Sequence, residues 1–384
     1  MANNQQFGVP QDRGRTRALY MVAVVAVLVA TLSPFNPFPR NGVTWLTGAS
    51  GLKFVKNGLV VSDRPLNFPD NLATNSYSIE LLLKPASAGW SYTILGFYVP
   101  GRPTQLLVRQ WTDGLLVTHD PRVDTDRTKT IKFDVDHALI RGRLVLITLA
   151  SGPNGTTIYV DGQRAQSFPR FEIARGELAG QIVLGTSPTT YHPWPGELHG
   201  LAVYSKELTP SDALRHYQEW TTLSEHPDLD DAVARYTFTE GAGNEVHSEV
   251  VSGPNLEIPT SFSVPHKPFL NSPDKEFKAD RRYAFDVLIN IAGFVPLGLI
   301  SCAYFGWNRN RWRAVFIATI SCGALSLLIE ILQYYIPRRG SGMTDIITNT
   351  FGAALGGLLV QAGPVRRVLI KMKLLSAAQR SVIN

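Results

Sequence analysis

The chain has 384 residues and a formal net charge of +6, from 37 Lys and Arg against 31 Asp and Glu. This length allows a soluble domain together with a membrane part. The basic residues concentrate beside apolar runs, which indicates orientation in a membrane rather than a nucleic-acid partner. The two cysteines, Cys302 and Cys322, both lie in apolar runs, so neither a disulfide framework nor a structural zinc site is expected.

The first predicted element is an apolar run over 18–36. It follows a polar stretch, 1–17, that carries Arg13, Arg15 and Arg17. A secretory signal peptide has a similar layout, but no small-x-small cleavage site follows this run. We therefore interpret it as an uncleaved transmembrane helix, with the N-terminus in the cytoplasm and the next region outside.

Short alternating strands recur through residues 41–262, separated by Gly, Pro and Asn. Strands without intervening helices predict an antiparallel β-sandwich of the jelly-roll type. The last part of this region, 233–262, resembles an opening strand although it comes at the end. It either completes the same sandwich in a permuted order or forms a separate hairpin packed on it.

Two motifs in this region resemble the laminin-G and concanavalin A-like lectin domains. They are Ile158-Tyr-Val-Asp-Gly162, and Gly196-Glu-Leu-His-Gly-Leu-Ala-Val-Tyr204 followed by Leu208-Thr-Pro-Ser. The resemblance implies a carbohydrate ligand, and aromatic rings suit the apolar faces of sugars. The candidate stacking residues are Trp90, Trp111 and Trp194. The alternative is that these rings belong to the core or rim of the sandwich.

Calcium is the one cofactor that this region leaves open. Asp120, Asp124 and Asp126 could hold the ion through oxygen ligands, but they lack the spacing of an EF-hand. A solvated loop is the favoured interpretation, and no other cofactor or metal is expected.

The remainder of the chain returns to the membrane. Residues 263–283 are rich in Pro, Lys and Asp and are interpreted as a linker. Region 284–362 contains three further apolar runs, each long enough to cross a bilayer: 285–305, 314–336 and 343–362. With the first helix they form a four-helix transmembrane bundle. The basic tail, 363–384, is then cytoplasmic, the sandwich is extracytoplasmic, and the expected location is a bacterial inner membrane.

A repeated pattern opens the second and fourth spans. Asp286 and Asn290 have the same spacing as Asp345 and Asn349, inside otherwise apolar runs. Residues four apart lie on one face of a helix. Carboxylates and amides are costly in lipid, so they usually face a protein interior and mark function. The alternative is that each Asp only caps its helix.

The third span adds Glu330 and Gln333 on one helical face, and two arginines follow it. The predicted membrane polar site therefore consists of Asp286, Asn290, Glu330, Gln333, Arg338, Arg339, Asp345 and Asn349. We expect these groups at the external ends of the helices, with an acid paired to an arginine. The alternative is that they only tie the helices together through hydrogen bonds. No catalytic residue can be assigned.

This ordered set resembles the VanZ-like membrane family over residues 284–362. The motifs are Asp286-x-x-x-Asn290-x-x-Gly-Phe-x-Pro296-x-Gly298, Glu330-x-x-Gln333, an arginine at 338 or 339, and Asp345-x-x-x-Asn349-x-x-Gly352. The family is associated with low-level teicoplanin resistance, so the resemblance implies a role in the cell envelope. The large sandwich inserted after the first span departs from the family pattern.

Three functions follow. The first is an envelope protein that binds a glycan or glycopeptide, with the bilayer and a lipid-linked glycan as further partners. The second is a membrane-embedded enzyme acting on a lipid-linked glycan or polyprenyl phosphate at the outer leaflet, where arginine binds phosphate and a carboxylate serves as acid or base. The third is a small transporter, which four spans make the least favoured.

Overall fold

The computed structural model describes residues 13–68, 75–102, 104–121, 132–222, 229–306, 310–372 and 374–375. The chain divides into two compact units. The sandwich unit is Phe38–Lys267, and the helical unit combines Met1–Pro37 with Pro268–Asn384. The inserted sandwich therefore interrupts a helical unit built from both ends of the sequence.

Short strands make up most of the sandwich unit. They are β1 (Val43–Trp45), β2 (Leu52–Phe54), β3 (Val60–Ser62), β4 (Tyr77–Pro85), β5 (Ser91–Tyr98), β6 (Thr104–Trp111), β7 (Gly114–Pro121), β8 (Lys132–Val135), β9 (Val145–Gly152), β10 (Gly155–Val160), β11 (Gln163–Phe168), β12 (Gln181–Leu184), β13 (Gly196–Tyr204), β14 (Ala232–Tyr236), β15 (Glu245–Val246) and β16 (Leu256–Glu257).

Helices are few in the sandwich and dominate the other unit. They are α1 (Arg13–Leu32), α2 (Arg175–Leu178), α3 (Pro210–Thr221), α4 (Pro273–Glu276), α5 (Arg281–Phe305), α6 (Arg311–Tyr335), α7 (Met343–Leu359) and α8 (Gly363–Lys371). Only α2 and α3 belong to the sandwich unit among the described residues.

Within the described residues, the strands form two antiparallel sheets of eight strands each. The first has the order β1-β2-β13-β4-β9-β10-β11, with β14 also paired to β13, and the second has the order β15-β16-β3-β12-β5-β6-β7-β8. Apolar side chains from both sheets, such as Leu81, Phe97 and Val108, form one core between them. The predicted antiparallel sandwich is confirmed.

The segment 233–262 completes this sandwich, which was the first of the two predicted alternatives. Strand β14 pairs with β13 of the first sheet, and β16 pairs with β3 of the second. The segment thus contributes to both sheets, so it is not a separate hairpin packed on the outside.

A buried carboxylate holds α3 against the outer face of the first sheet. The Glu80 side chain is fully buried and accepts hydrogen bonds from Thr148 Oγ1 at 3.2 Å, Tyr204 OH at 3.1 Å and Trp220 Nε1 at 2.9 Å. The Nδ1 atom of His216 lies 3.1 Å away. A buried acid is costly unless its oxygens are bonded, and here they are. Burial and the Glu80 carboxylate together raise the pKa of Tyr204 above its ordinary value.

The helical unit contains three described helices long and apolar enough to cross a membrane: α1, α5 and α6. A fourth span exists only if α7 and α8 count together, because an 81° bend separates them. The predicted fourth span, 343–362, therefore ends earlier, at Leu359, and the predicted tail begins with a helix. The first helix also begins and ends earlier than predicted, at Arg13 and Leu32.

Helices α5 and α7 approach closely because glycines line their contact. A Cβ atom at Gly352 would collide with the Ile291 carbonyl, and one at Gly356 would collide with the Val295 carbonyl. Small residues allow this kind of close packing between membrane helices. The G-x-x-x-G spacing of α7 therefore serves helix contact rather than chemistry.

Candidate functional site

The start of α7 is capped by carboxylates from other parts of the chain. Gly342 is the N-cap residue, and its N–H donates to Glu330 Oε2 of α6 at 2.8 Å. Two residues on, the N–H of Thr344 donates to Glu276 Oε2 of α4 at 3.0 Å. The first amides of a helix lack partners within it, and a negative charge there is stabilising. Glu330 is 1% exposed, so this capping explains how an acid is accommodated among apolar helices.

Glu276 was missed by the sequence analysis, which placed it in a linker. The segment around it is instead bound to the start of α7. Asn271 N–H donates to Ser341 O at 3.0 Å, and Met343 N–H donates to Asn271 O at 2.9 Å. A Cβ atom at Gly342 would collide with the Glu276 carboxylate, so the glycine makes this approach possible. No local pattern marks Glu276, because its partner lies far along the chain.

One hydrogen bond among the described residues joins the two repeated Asp-Asn pairs across α5 and α7. Asn290 Nδ2 of α5 donates to Asp345 Oδ1 of α7 at 2.7 Å, and both side chains are half-buried. Asp286 is exposed and makes no hydrogen bond to any described residue. The expectation that both acids face the protein interior therefore fails for Asp286, whose side chain is exposed.

Asn349 lies deeper in the helical unit. Its Nδ2 donates to Ser326 Oγ of α6 at 2.9 Å, and the side chain is buried. Its Oδ1 has no hydrogen-bond partner among the described residues. The second repeat thus links α7 to α5 through Asp345 and to α6 through Asn349.

Gln333 and Arg339 bond to the end of α1. Gln333 Nε2 donates to Thr31 O at 3.0 Å, and Arg339 Nη2 donates to Ser33 O at 3.2 Å. The last carbonyls of a helix lack partners within it, and in lipid they must be satisfied by the protein. Both arginines that follow α6, Arg338 and Arg339, are exposed.

Most of the predicted polar residues thus lie near the end of α1 and the start of α7. There they cap a helix or join two helices by a hydrogen bond. Glu330 caps α7, Gln333 and Arg339 cap α1, and Asn290 joins Asp345. The second oxygen of Asp345 has no hydrogen-bond partner among the described residues. Asp345 and Asp286 are therefore the acids best placed to meet something outside the chain.

The three candidate stacking residues of the sandwich differ sharply in exposure. Trp90 is 78% exposed and Trp111 is 58% exposed, whereas Trp194 is 1% exposed. The Trp194 indole N–H donates to Gln110 Oε1 at 2.8 Å, and its ring packs against Phe54. Trp194 is therefore a core residue and cannot present a ring face to a sugar, which corrects the prediction.

The side chains of the three calcium candidates lie outside the part of the chain that the structure describes. Asp124 and Asp126 lie in 122–131, and the side chain of Asp120 is likewise not described. Among the groups that the structure does describe, no three His, Cys, Asp or Glu side chains are arranged to hold a metal ion.

Two family models match the chain. Residues 233–364 match the model described as VanZ/LLP1, and residues 61–213 match the model of the concanavalin A-like lectin/glucanases superfamily. The chain combines a VanZ-like domain with a concanavalin A-like lectin domain. Both resemblances expected from the motifs are confirmed. The VanZ-like match begins at β14, within the sandwich unit, and ends in α8.

The solved structures that match the chain are distant in sequence. A Bacteroides ovatus protein described as carbohydrate-binding is 14% identical, with a TM-score of 0.37 over 56% of this chain and 61% of its own. The receptor-binding domain of botulinum neurotoxin D is 18% identical, with a TM-score of 0.35 over 46% of this chain and 45% of its own. The chain thus spans less than two thirds of either protein. No curated protein matches it.

The VanZ-like domain and its apolar helices make the chain a membrane protein. The described part of that domain holds all eight residues of the predicted membrane polar site. The lectin-like domain holds the two exposed tryptophans. Each domain therefore contributes its own candidate site, one among helix ends and one where β5 begins and β6 ends.

Proposed function

We propose that this chain is a cell-envelope membrane protein whose sandwich unit binds a carbohydrate outside the cytoplasm. The observation that carries the proposal is the exposed pair Trp90 and Trp111. Their backbones lie beside each other, because Thr112 N–H donates to Trp90 O at 3.4 Å and Ser91 is the strand partner of Trp111. Large aromatic rings at a binding edge bury much area on contact with a ligand. Two neighbouring indoles can thus grip the apolar faces of successive sugar rings.

A glycan array probed with the full chain in detergent tests this proposal. We expect binding to at least one class of bacterial envelope oligosaccharide, and loss of that binding when Trp90→Ala and Trp111→Ala are combined. The matched control is Trp312→Ala, since Trp312 is also exposed but lies on α6 of the helical unit. Binding that survives the double substitution, or no binding to any sugar, would contradict the proposal.

The envelope ligand that we favour is a glycopeptide or a lipid-linked glycan held near the bilayer. The VanZ-like domain supports this choice, and it also motivates a link to glycopeptide resistance. Expression of the chain should raise the teicoplanin concentration needed to stop growth, and the double tryptophan variant should lower it again. If the protein is well expressed and the inhibitory concentration of teicoplanin does not change, the resistance role is contradicted. The carbohydrate-binding proposal is not affected by that result.

A second candidate is an enzyme acting on a lipid-linked glycan at the membrane. Asp345 favours it, because one of its oxygens has no partner among the described residues while the other accepts from Asn290. Such a carboxylate can serve as a general base or acid. A polyprenyl-diphosphate disaccharide incubated with the protein would be converted by the native chain and not by Asp345→Asn. Equal turnover by that variant removes this candidate.

A further inference from the structure

The outer face of the second sheet carries a cation beside an exposed indole. Side chains alternate between the faces of a strand, and Val108 lies in the core, so Arg109 and Trp111 point away from it. Arg109 Nη2 donates to Ser91 Oγ at 2.7 Å. Because Ser91 is the strand partner of Trp111, this bond holds the guanidinium next to the indole.

Two hydroxyls flank Arg109 on the same face. Thr93 on β5 is the strand partner of Arg109, and Thr118 on β7 is the partner of Leu107, two residues before it. Both threonines are more than nine-tenths buried, yet neither Oγ1 has a hydrogen-bond partner among the described residues. Buried polar groups are nearly always bonded, so orphan hydroxyls point to a water or a ligand group that satisfies them.

We propose that Trp111 and Arg109 form the binding site for a pyranose that carries a carboxylate, such as a uronic acid. The proposal deepens the carbohydrate-binding function above and rests on it. The indole packs on the C–H face of the sugar, and the guanidinium, held in place by Ser91, donates a charge-assisted hydrogen bond to the carboxylate. Thr93 and Thr118 lie deeper and take up water that bridges to the sugar hydroxyls.

Calorimetry with a matched pair of probes tests the charge preference. Trigalacturonic acid and its methyl ester have the same rings, but only the acid is charged. The full chain in detergent, with a chelator present to remove calcium, should bind the acid about tenfold more tightly than the ester, as expected for charge-assisted bonds. The chain is basic overall, so the experiment must distinguish binding at a specific site from a general attraction of the chain to anions.

Three variants make that separation. Arg109→Gln should bring the ratio of acid to ester affinity close to one, and Arg109→Lys should restore part of it. Arg164→Gln is the matched control, because Arg164 also donates to a serine, Ser167 Oγ at 3.0 Å, but lies on β11 of the other sheet. It removes the same charge and should leave the ratio unchanged. A thermal unfolding curve of each variant verifies that the sandwich is folded.

The outcomes distinguish this inference from the proposed function. Equal affinity for acid and ester in the native chain overturns the carboxylate site while leaving carbohydrate binding in place. An equal fall in the ratio for Arg109→Gln and Arg164→Gln also overturns it, since the preference would then reflect overall charge. Failure to bind any sugar on the array removes the proposed function and this inference together.

Discussion

The two copies of the Asp-x-x-x-Asn pattern have the same spacing but opposite surroundings. In the first copy, on α5, Asp286 is exposed and makes no hydrogen bond to a described residue. In the second, on α7, Asp345 accepts from Asn290 and Asn349 donates to Ser326. The helix starts differ as well. Asp280 caps α5 locally by accepting from Tyr283 N–H, whereas Gly342 of α7 donates to the distant Glu330.

This difference shows that packing, rather than the motif, decides what each polar residue does. Helix α7 lies against both α5 and α6, so its polar side chains find partners on two sides. Helix α5 presents Asp286 and Gly293 to open space. Equivalent positions of the repeat should therefore respond unequally to the same substitution.

The largest inequality is expected at the glycines that occupy the same place in each copy, Gly352 and Gly293. A Cβ atom at Gly352 would collide with the Ile291 backbone carbonyl, which cannot move independently of its helix. Gly352→Ala should therefore cost about 3 kcal/mol, the upper end for overpacking. Gly293→Ala meets nothing within 4 Å and should be neutral or slightly stabilising, since alanine favours helix.

Thiol labelling provides the measurement. Cys302 and Cys322 are the only cysteines, and both are buried in the helical unit. Their labelling rate therefore reports opening of that unit and not of the sandwich. Faster labelling in Gly352→Ala and an unchanged rate in Gly293→Ala are expected. Equal rates in the two variants would mean that α5 and α7 are not in close contact.

The next inequality concerns the caps of the two helices. Glu330→Ala leaves the buried Gly342 N–H without that acceptor and should cost about 2 kcal/mol. Asp280→Ala removes an exposed cap from α5 and should cost about 1 kcal/mol or less. Glu330→Gln keeps an acceptor oxygen, so it should recover part of the loss. The same thiol-labelling rates measure all three, and a larger effect at Asp280 than at Glu330 would contradict the capping role.

The sequence alone predicts a good deal of this architecture, because some signals are local. Apolar runs and their basic flanks predict the spans, and alternation with turn residues predicts the sandwich. Partners far apart in the chain are not predictable in this way. The Glu276 contact to Thr344 depends on how the segment after the sandwich folds back onto α7. Burial of Trp194 depends on Gln110 from a distant strand, and no local pattern distinguishes it from Trp90.

The smallest effect is expected for the one hydrogen bond that joins the two copies. A double-mutant cycle with Asn290→Ala and Asp345→Ala should give a coupling energy of about 1 kcal/mol, within the range for polar contacts between membrane helices. The cycle with Asn290→Ala and Asp286→Ala should give none, because no hydrogen bond joins Asp286 to Asn290 among the described residues. Thiol labelling again supplies the free energies. Coupling at Asp286 equal to that at Asp345 would mean that the two copies are equivalent in the folded protein. Coupling at Asp345 alone would instead mean that α7 has recruited the polar face of α5, leaving Asp286 as the member of the repeat that remains available to a partner outside the chain.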